Sequence, residues 1–194
     1  MNKVVFLDRD GTLNEEVNYL HRTEDLRILP GVAEAVCALR NAGFNIVVVT
    51  NQAGIGRGYY TEQDVEHLHA FMNEQLAAQG AQVDHFFYCP HHPVHGIGAY
   101  KQVCHCRKPE TGMFEMAQKY YEIDKEHSWM IGDKLIDVQA GRNFGVHTAL
   151  VGTGYGKKER EQAQETGAVP YEIYGASLLD VVQDILKIEE QTGC

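Results

Sequence analysis

Short apolar, β-branched runs alternate with helically spaced apolar positions from one end of the chain to the other. Val4–Leu7, 45–50, His85–Cys89, 128–132 and 147–152 read as strands, with a weaker run near 171–174. Between them lie helices with legible ends. One opens near Pro30, carries Val32, Val36 and Leu39 on one face and stops at Gly43. Another starts at Thr61 with Asp64 three residues on, carries Val65, Leu68, Met72 and Leu76, and stops at Gly80. Further helices fit 113–123, 136–144 and 177–189. Strand and helix in strict alternation predict an α/β fold, an open parallel Rossmann-like sheet with helices on both faces. There is no internal repeat, low-complexity tract or linker, so residues 1–194 are expected to form one domain. Two long connections, 8–29 and 90–111, interrupt the alternation, and connections of that length are usually functional.

Ligands of such sheets bind beyond the carboxyl ends of the strands, so the polar residues that end the apolar runs carry the first functional signal. The run V-V-F-L ends in D-R-D-G-T-L-N. Asp8 and Asp10 are two apart, so in extended chain both carboxylates point one way. They repel unless a cation or proton lies between them, and a hard cation such as Mg²⁺ suits oxygen ligands. The run I-V-V-V-T-N-Q ends in Thr50, Asn51 and Gln52, W-M-I-G-D-K-L-I-D ends in Asp133 and Lys134 with Asp137 one helical turn on, and Lys108 follows the Cys-rich stretch. Carboxylates, a hydroxyl and a lysine in these places fit phosphoryl transfer: a nucleophile, cations for the phosphoryl oxygens, and an acid for the leaving oxygen.

Composition changes the picture in two ways. The net charge of −10, from 17 basic and 27 acidic residues with no basic cluster, argues against nucleic acid and anionic membrane surfaces as partners. No run of about 18 apolar residues and no signal-peptide pattern is seen, so a cytoplasmic protein with reduced thiols is expected, monomeric by default. Residues 89–106 then need another explanation than disulfides, because C-P-H-H-P-V-H-G-I-G-A-Y-K-Q-V-C-H-C holds three of five cysteines and four of ten histidines. Cys89 and His91 are two apart, as are Cys104 and Cys106, so each pair projects to one side. Three thiolates and one imidazole, in pairs about a dozen residues apart, make a closed structural Zn²⁺ site. The same parity turns His92 and His105 away, and His95 is a rival ligand. Arg107 and Lys108 leave this loop directly, so zinc would act as a clip that positions them. Cys37 and Cys194 read as a buried and a terminal thiol.

D-R-D-G-T-L, V-V-V-T-N-Q, R-K-P and I-G-D-K-x-x-D, in this order, resemble the four motifs of the haloacid dehalogenase superfamily of aspartyl-phosphate phosphatases. The resemblance implies that Asp8 is the nucleophile and Asp10 the general acid and then base. Thr50 and Lys108 would hold the phosphoryl group, and Asp8, the backbone carbonyl of Asp10, and Asp133 would bind Mg²⁺. Asp137 would orient Lys134 or metal-bound waters. Members usually carry an inserted cap domain, but neither connection, at about 20 residues, can fold as one. The chain therefore looks capless, with the zinc loop 89–108 at one cap position.

F-L-D-R-D-G-T-L-N, T-N-Q-A-G-I-G-R-G, C-P-H-H-P and C-x-C-R-K-P are further similar to the heptose-1,7-bisphosphate 7-phosphatases. That likeness implies a phosphorylated sugar substrate in nucleotide-activated heptose synthesis for lipopolysaccharide or surface glycans. Glu16, Val17, Asn18, Tyr19, Asn51, Gln52, Ala53 and Lys134 would line the sugar site and Arg107 would read the second phosphate or the sugar. Histidinol-phosphate phosphatases resemble the same motifs and stay open as an alternative. A phospho-acceptor receiver domain needs neither an acid two residues after its nucleophile nor a zinc clip.

Overall fold

The structure is a computed structural model that describes residues 1–167 and 170–192; Cys194 lies outside them. Its strands are β1 (Val4–Leu7), β2 (Asn45–Asn51), β3 (His85–Cys89), β4 (Trp129–Gly132), β5 (His147–Val151) and β6 (Ile173–Gly175). They form one parallel sheet in the order β3-β2-β1-β4-β5-β6. The helices are α1 (Val32–Asn41), α2 (Ala53–Gly56), α3 (Glu62–Ala77), α4 (Gly112–Ala117), α5 (Leu135–Phe144), α6 (Gly156–Glu165) and α7 (Leu178–Thr192).

Successive strand residues face opposite sides of a sheet, and the apolar runs use both. Val5, Leu7, Ile46, Val48 and Ile131 pack with apolar residues of α1, α3 and α7, whereas Val4, Phe6, Val47, Val49 and Met130 pack with those of α4 and α5. Burial on both faces explains why these runs contain no polar alternation. The chain winds from β1 through β2 to β3, then returns to β4 on the other flank of β1, so the strand order reverses between β1 and β4. The crevice beyond those two carboxyl ends is the expected binding place.

Helix α3 begins where the sequence places it: Thr61 Oγ1 accepts from the Asp64 amide at 3.2 Å and Asp64 Oδ2 accepts from the Thr61 amide at 2.8 Å. Its buried face includes His69 as well as Val65, Leu68, Met72 and Leu76. The helix expected over 113–123 is a correction, because α4 stops at Ala117. The N-terminal segment captures the remainder: the Asn2 amide donates to the Glu122 carbonyl at 2.6 Å, the Asp124 amide donates to the Asn2 carbonyl at 2.9 Å, and Asn2 bridges Ile123. Neither long connection builds a cap; each holds one 3-10 turn, Thr23–Asp25 and Gly98–Tyr100.

Candidate active site

The end of β1 delivers Asp8 and that of β4 delivers Asp133, and Asp137 comes from the first turn of α5. All three are buried, and one oxygen from each lies within 4.8 Å of the others. Lys108, only 2% exposed, reaches into this group from the loop before α4. Its Nζ is 2.7 Å from Asp8 Oδ1, 2.7 Å from Asp137 Oδ1 and 2.8 Å from the Val49 carbonyl. Burial alone would push the lysine pKa down, but Asp137 and then Asp8 outweigh it and hold the ammonium above its usual range. Asp137 thus orients Lys108; with Lys134 it exchanges backbone-level bonds, its Oδ2 accepting from the Lys134 amide at 3.1 Å and its own amide donating to the Lys134 carbonyl at 3.0 Å.

Asp133 is the carboxylate of the three with an oxygen that no side chain or backbone group satisfies. Its Oδ2 accepts from the Tyr155 amide at 2.8 Å, while Oδ1 is buried without a partner. Burial, then the Asp8 charge, pushes its pKa up to about 8; burial likewise takes Asp137 to about 6 despite Lys108. Gly11, at φ +83°, lets the chain turn beside this carboxylate, where any Cβ would collide with it. Three converging carboxylates, an orphaned oxygen and a single shared ammonium fit a hard divalent cation with oxygen ligands.

Asp10, in contrast, is held low. Burial raises its pKa, but the Arg9 charge and hydrogen bonds from Arg9, Asn14 and Gln52 lower it further. Arg9, 0% exposed, donates to Asp10 from Nε at 3.1 Å and from one terminal nitrogen to Oδ1 at 3.0 Å and Oδ2 at 2.8 Å. Neither Arg9 nor His69 behind it is among the residues the motifs single out. Gln52 Nε2 donates to Asp10 Oδ2 at 3.0 Å and to Thr50 Oγ1 at 2.9 Å, which puts the hydroxyl beside the carboxylates.

The second cluster starts at the last residue of β3. Cys89 Sγ is 3.7 Å and Cys106 Sγ 3.6 Å from His91 Nδ1, and Cys104 Sγ is 2.9 Å from Cys106 Sγ. The four ligand atoms lie within 4.8 Å of one another. His95 is not part of this group. His92 Nδ1 accepts from the Val94 and His95 amides, and His105 Nε2 lies 2.9 Å from Glu115, both away from the thiols as parity requires. Hydrogen bonding from Cys106, then from His91, lowers the Cys89 thiol to about 6, whereas the neighbouring thiols and burial push Cys106 up. Crowded thiols that cannot all ionise alone are the donor set zinc neutralises.

The two clusters share a strut. Asn51 is the register partner of Cys89, and its side chain clamps Lys108 in both directions: Oδ1 accepts from the Lys108 amide at 3.0 Å and Nδ2 donates to its carbonyl at 3.2 Å. A cavity of about 260 Å³ opens above, lined by Asp8, Asp10, Glu16, Asn18, Tyr19, Thr50, Asn51, Gln52, Ala53, Lys108, Lys134 and Asp137 among others. Glu16 Oε2 accepts from Lys134 Nζ at 3.2 Å across its mouth, and Asn18 and Tyr19 stand at φ 52° and 60°, a strained backbone for residues with a Cβ. Two expected lining residues sit elsewhere. Val17 borders an adjoining depression with Asn18 and Tyr19, and the Arg107 guanidinium donates to the His91 carbonyl at 3.2 Å.

A family model described as HAD-hyrolase-like matches residues 105–179. The chain is 40% identical over 186 residues, covering 96% of it and 97% of the relative, to a D-glycero-beta-D-manno-heptose-1,7-bisphosphate 7-phosphatase of Vibrio cholerae serotype O1. It is 41% identical over 158 residues, 81% of the chain and 86% of the relative, to a D-glycero-alpha-D-manno-heptose-1,7-bisphosphate 7-phosphatase of Photorhabdus laumondii. Among solved structures it is similar, with a TM-score of 0.83 and 32% identity over 96% of this chain and 99% of that one, to the D,D-heptose 1,7-bisphosphate phosphatase of B. bronchiseptica complexed with magnesium and phosphate. Fold, site geometry and relatives agree that the chain is a phosphoric monoester hydrolase that belongs to the heptose-1,7-bisphosphate 7-phosphatase family of haloacid dehalogenase-like enzymes.

Proposed function

We propose that the chain removes the 7-phosphate of D-glycero-D-manno-heptose 1,7-bisphosphate through an aspartyl phosphate on Asp8, in the synthesis of nucleotide-activated heptose for lipopolysaccharide or surface glycans. The observation that carries the mechanism is the buried Lys108 ammonium 2.7 Å from Asp8 Oδ1, at the floor of a cavity that Asp10 and Thr50 also line. Asp8 attacks phosphorus as the bond to the C7 oxygen breaks, and Asp10, which must first take up a proton against the pull of Arg9, gives it to that oxygen. Asp10 then takes a proton from the water that attacks the aspartyl phosphate, which returns Asp8 and frees inorganic phosphate. Lys108 and Thr50 donate to the phosphoryl oxygens, whose charge grows during both transfers.

Asp8, Asp133 and the Asp10 carbonyl are the proposed Mg²⁺ ligands, with Asp137 beside them. The cation, when bound, supplies positive charge to the phosphoryl oxygens and removes the repulsion among the carboxylates. Cys89, His91, Cys104 and Cys106 hold a structural zinc that fixes the return of the chain at Arg107 and Lys108. Glu16, Asn18, Tyr19, Asn51, Gln52, Ala53 and Lys134 form the sugar side of the site with Val17 in the adjoining depression, and Arg107 leaves the His91 carbonyl to turn to the second phosphate. Residues 1–194 work as one monomeric, cytoplasmic phosphatase domain; among the described residues no helix is long and apolar enough to cross a membrane.

Glu16 spends its charge on Lys134, which leaves it poorly placed to greet the ammonium of histidinol phosphate. The test is phosphate release from heptose 1,7-bisphosphate and from histidinol phosphate, side by side with saturating Mg²⁺ and followed by phosphorus NMR. Loss of the 7-phosphate, with histidinol phosphate slower by orders of magnitude, is expected. The reverse preference would overturn the substrate while the fold stood.

A further inference from the structure

We infer that Arg9 is a positioning residue for the reaction: its buried guanidinium, braced from behind by His69, sets the angle at which the Asp10 carboxyl faces the leaving group. The inference rests on the reading of Asp10 as proton donor.

Arg9 heads the largest fully buried side chains of the described residues, although a guanidinium is among the groups that least belong in a core. Removing such a charge pair in favour of apolar packing is often neutral or stabilising, so stability alone is a weak reason for it to be there. A planar fork adds direction. One terminal nitrogen, besides its contacts to both Asp10 oxygens, donates to the Leu20 carbonyl at 3.2 Å and to Gln52 Oε1 at 3.1 Å. The other lies 3.2 Å from His69 Nε2. Arginine has no acceptor, so His69 Nε2 must accept, its proton must sit on Nδ1, and the imidazole is neutral. Burial and the Arg9 charge push that imidazole down to about 3, which keeps it an acceptor at every working pH.

The brace is itself fixed. The His69 ring stacks on Phe86 with centroids 4.6 Å apart and meets Tyr88 edge-on at 6.0 Å. Gln52 Oε1, which accepts from Arg9, also accepts from Tyr60 Oη at 2.9 Å. At the far end of this chain of contacts, Asp10 Oδ1 takes bonds from Arg9 Nε, the Arg9 terminal nitrogen and Asn14, whereas Oδ2 takes only those from Arg9 and Gln52. Oδ1 takes three bonds and Oδ2 two, so Oδ2, the less engaged oxygen, is assigned the proton exchange with the leaving oxygen.

A misaimed acid slows departure of an alkoxide and scarcely affects an aryl oxide that leaves without a proton. The test therefore compares kcat/KM for heptose 1,7-bisphosphate and for p-nitrophenyl phosphate in the Mg²⁺- and Zn²⁺-loaded protein. Arg9→Met should lose about 100-fold on the sugar and less than about 5-fold on the aryl ester. His69→Leu should lose about 10-fold on the sugar alone, and His69→Gln, whose Oε1 can accept from Arg9, should return to within about 3-fold of the parent. Should Arg9→Met not fold, the His69 pair decides. Asp10→Asn separates the two ideas. If it fails to discriminate the substrates, the proton-donor reading falls and takes the inference with it. If it discriminates while folded Arg9 or His69 variants lower both substrates equally or neither, Arg9 and His69 are structural and the inference alone is overturned.

Discussion

The carboxylate centre and the Cys/His loop are both clusters of ionisable groups that the protein does not neutralise by itself, yet they are built in opposite ways. The first gathers Asp8, Asp133, Asp137 and Lys108 from distant parts of the chain and fixes them on or beside strand ends, with Asp8, Asp137 and Lys108 lining a cavity and Asp133 buried beside them. The second comes from residues 89–106 alone, and its four ligand atoms converge within 4.8 Å of one another. An orphaned oxygen on Asp133 belongs to the open cluster, where charge is needed on a visiting phosphate. The closed cluster uses all of its donors internally, which suits a metal that holds a loop and exchanges nothing. Lys108 is where they meet: two residues after Cys106 in the chain, it ends between Asp8 and Asp137.

Breaking the open cluster should have the largest effect. Asp8→Asn removes the proposed nucleophile, and turnover should fall by about four orders of magnitude or more in a protein that folds and keeps the metal proposed for the loop, read by steady-state kinetics with metal analysis. Cys104→Ala strikes the other side of the comparison. It should cost the protein the zinc proposed for this site, read by mass spectrometry, expose 90–106 to proteolysis, and lower kcat by about 100-fold through the displaced Lys108. Asn51→Ala cuts only the strut; about a tenfold loss of kcat with zinc retained is expected, and an equal loss of zinc would show that the strut serves the loop instead.

The smallest effect concerns stability. Asp133, pushed up to about 8, and Asp137, to about 6, both bind protons more tightly folded than at their unfolded value of 3.8. Their contribution is therefore complete below about pH 4 and is lost as pH rises through 6 and then 8. Metal-free protein should therefore become less stable, read as a falling Tm, as pH rises from 5 to 8. Asp133→Asn should flatten that slope in calorimetry, and saturating Mg²⁺ should do the same to the parent.

How much of this was legible depends on how local the cause is. Asp8, Asp10, Thr50 and Asp133 stand out because an apolar run turns polar where a strand leaves the sheet. The Cys/His set stands out because two pairs share the two-residue period of extended chain. The partner of Asp137 did not: one helical turn from Asp133 gives its position and says nothing of which cation arrives, and Lys108 comes from 29 residues earlier. Arg9 reads as a spacer between two aspartates, and its counterpart His69 lies 60 residues away. The available signal was that His69 falls on the buried face of α3, between Val65 and Met72. Helix α4 was overlong in expectation because Asn2, far off in sequence, takes the backbone groups at Glu122 and Asp124.

Chemistry at the open cluster, with the closed one only placing Lys108, is tested most directly by acid quench of the Mg²⁺-loaded protein during turnover of heptose 1,7-bisphosphate, followed by peptide mapping of bound phosphate. The prediction is a single hydroxylamine-labile phosphate on Asp8, formed also in Cys104→Ala but more slowly. Turnover without any bound phosphate, or phosphate on a residue of 89–106, would contradict it.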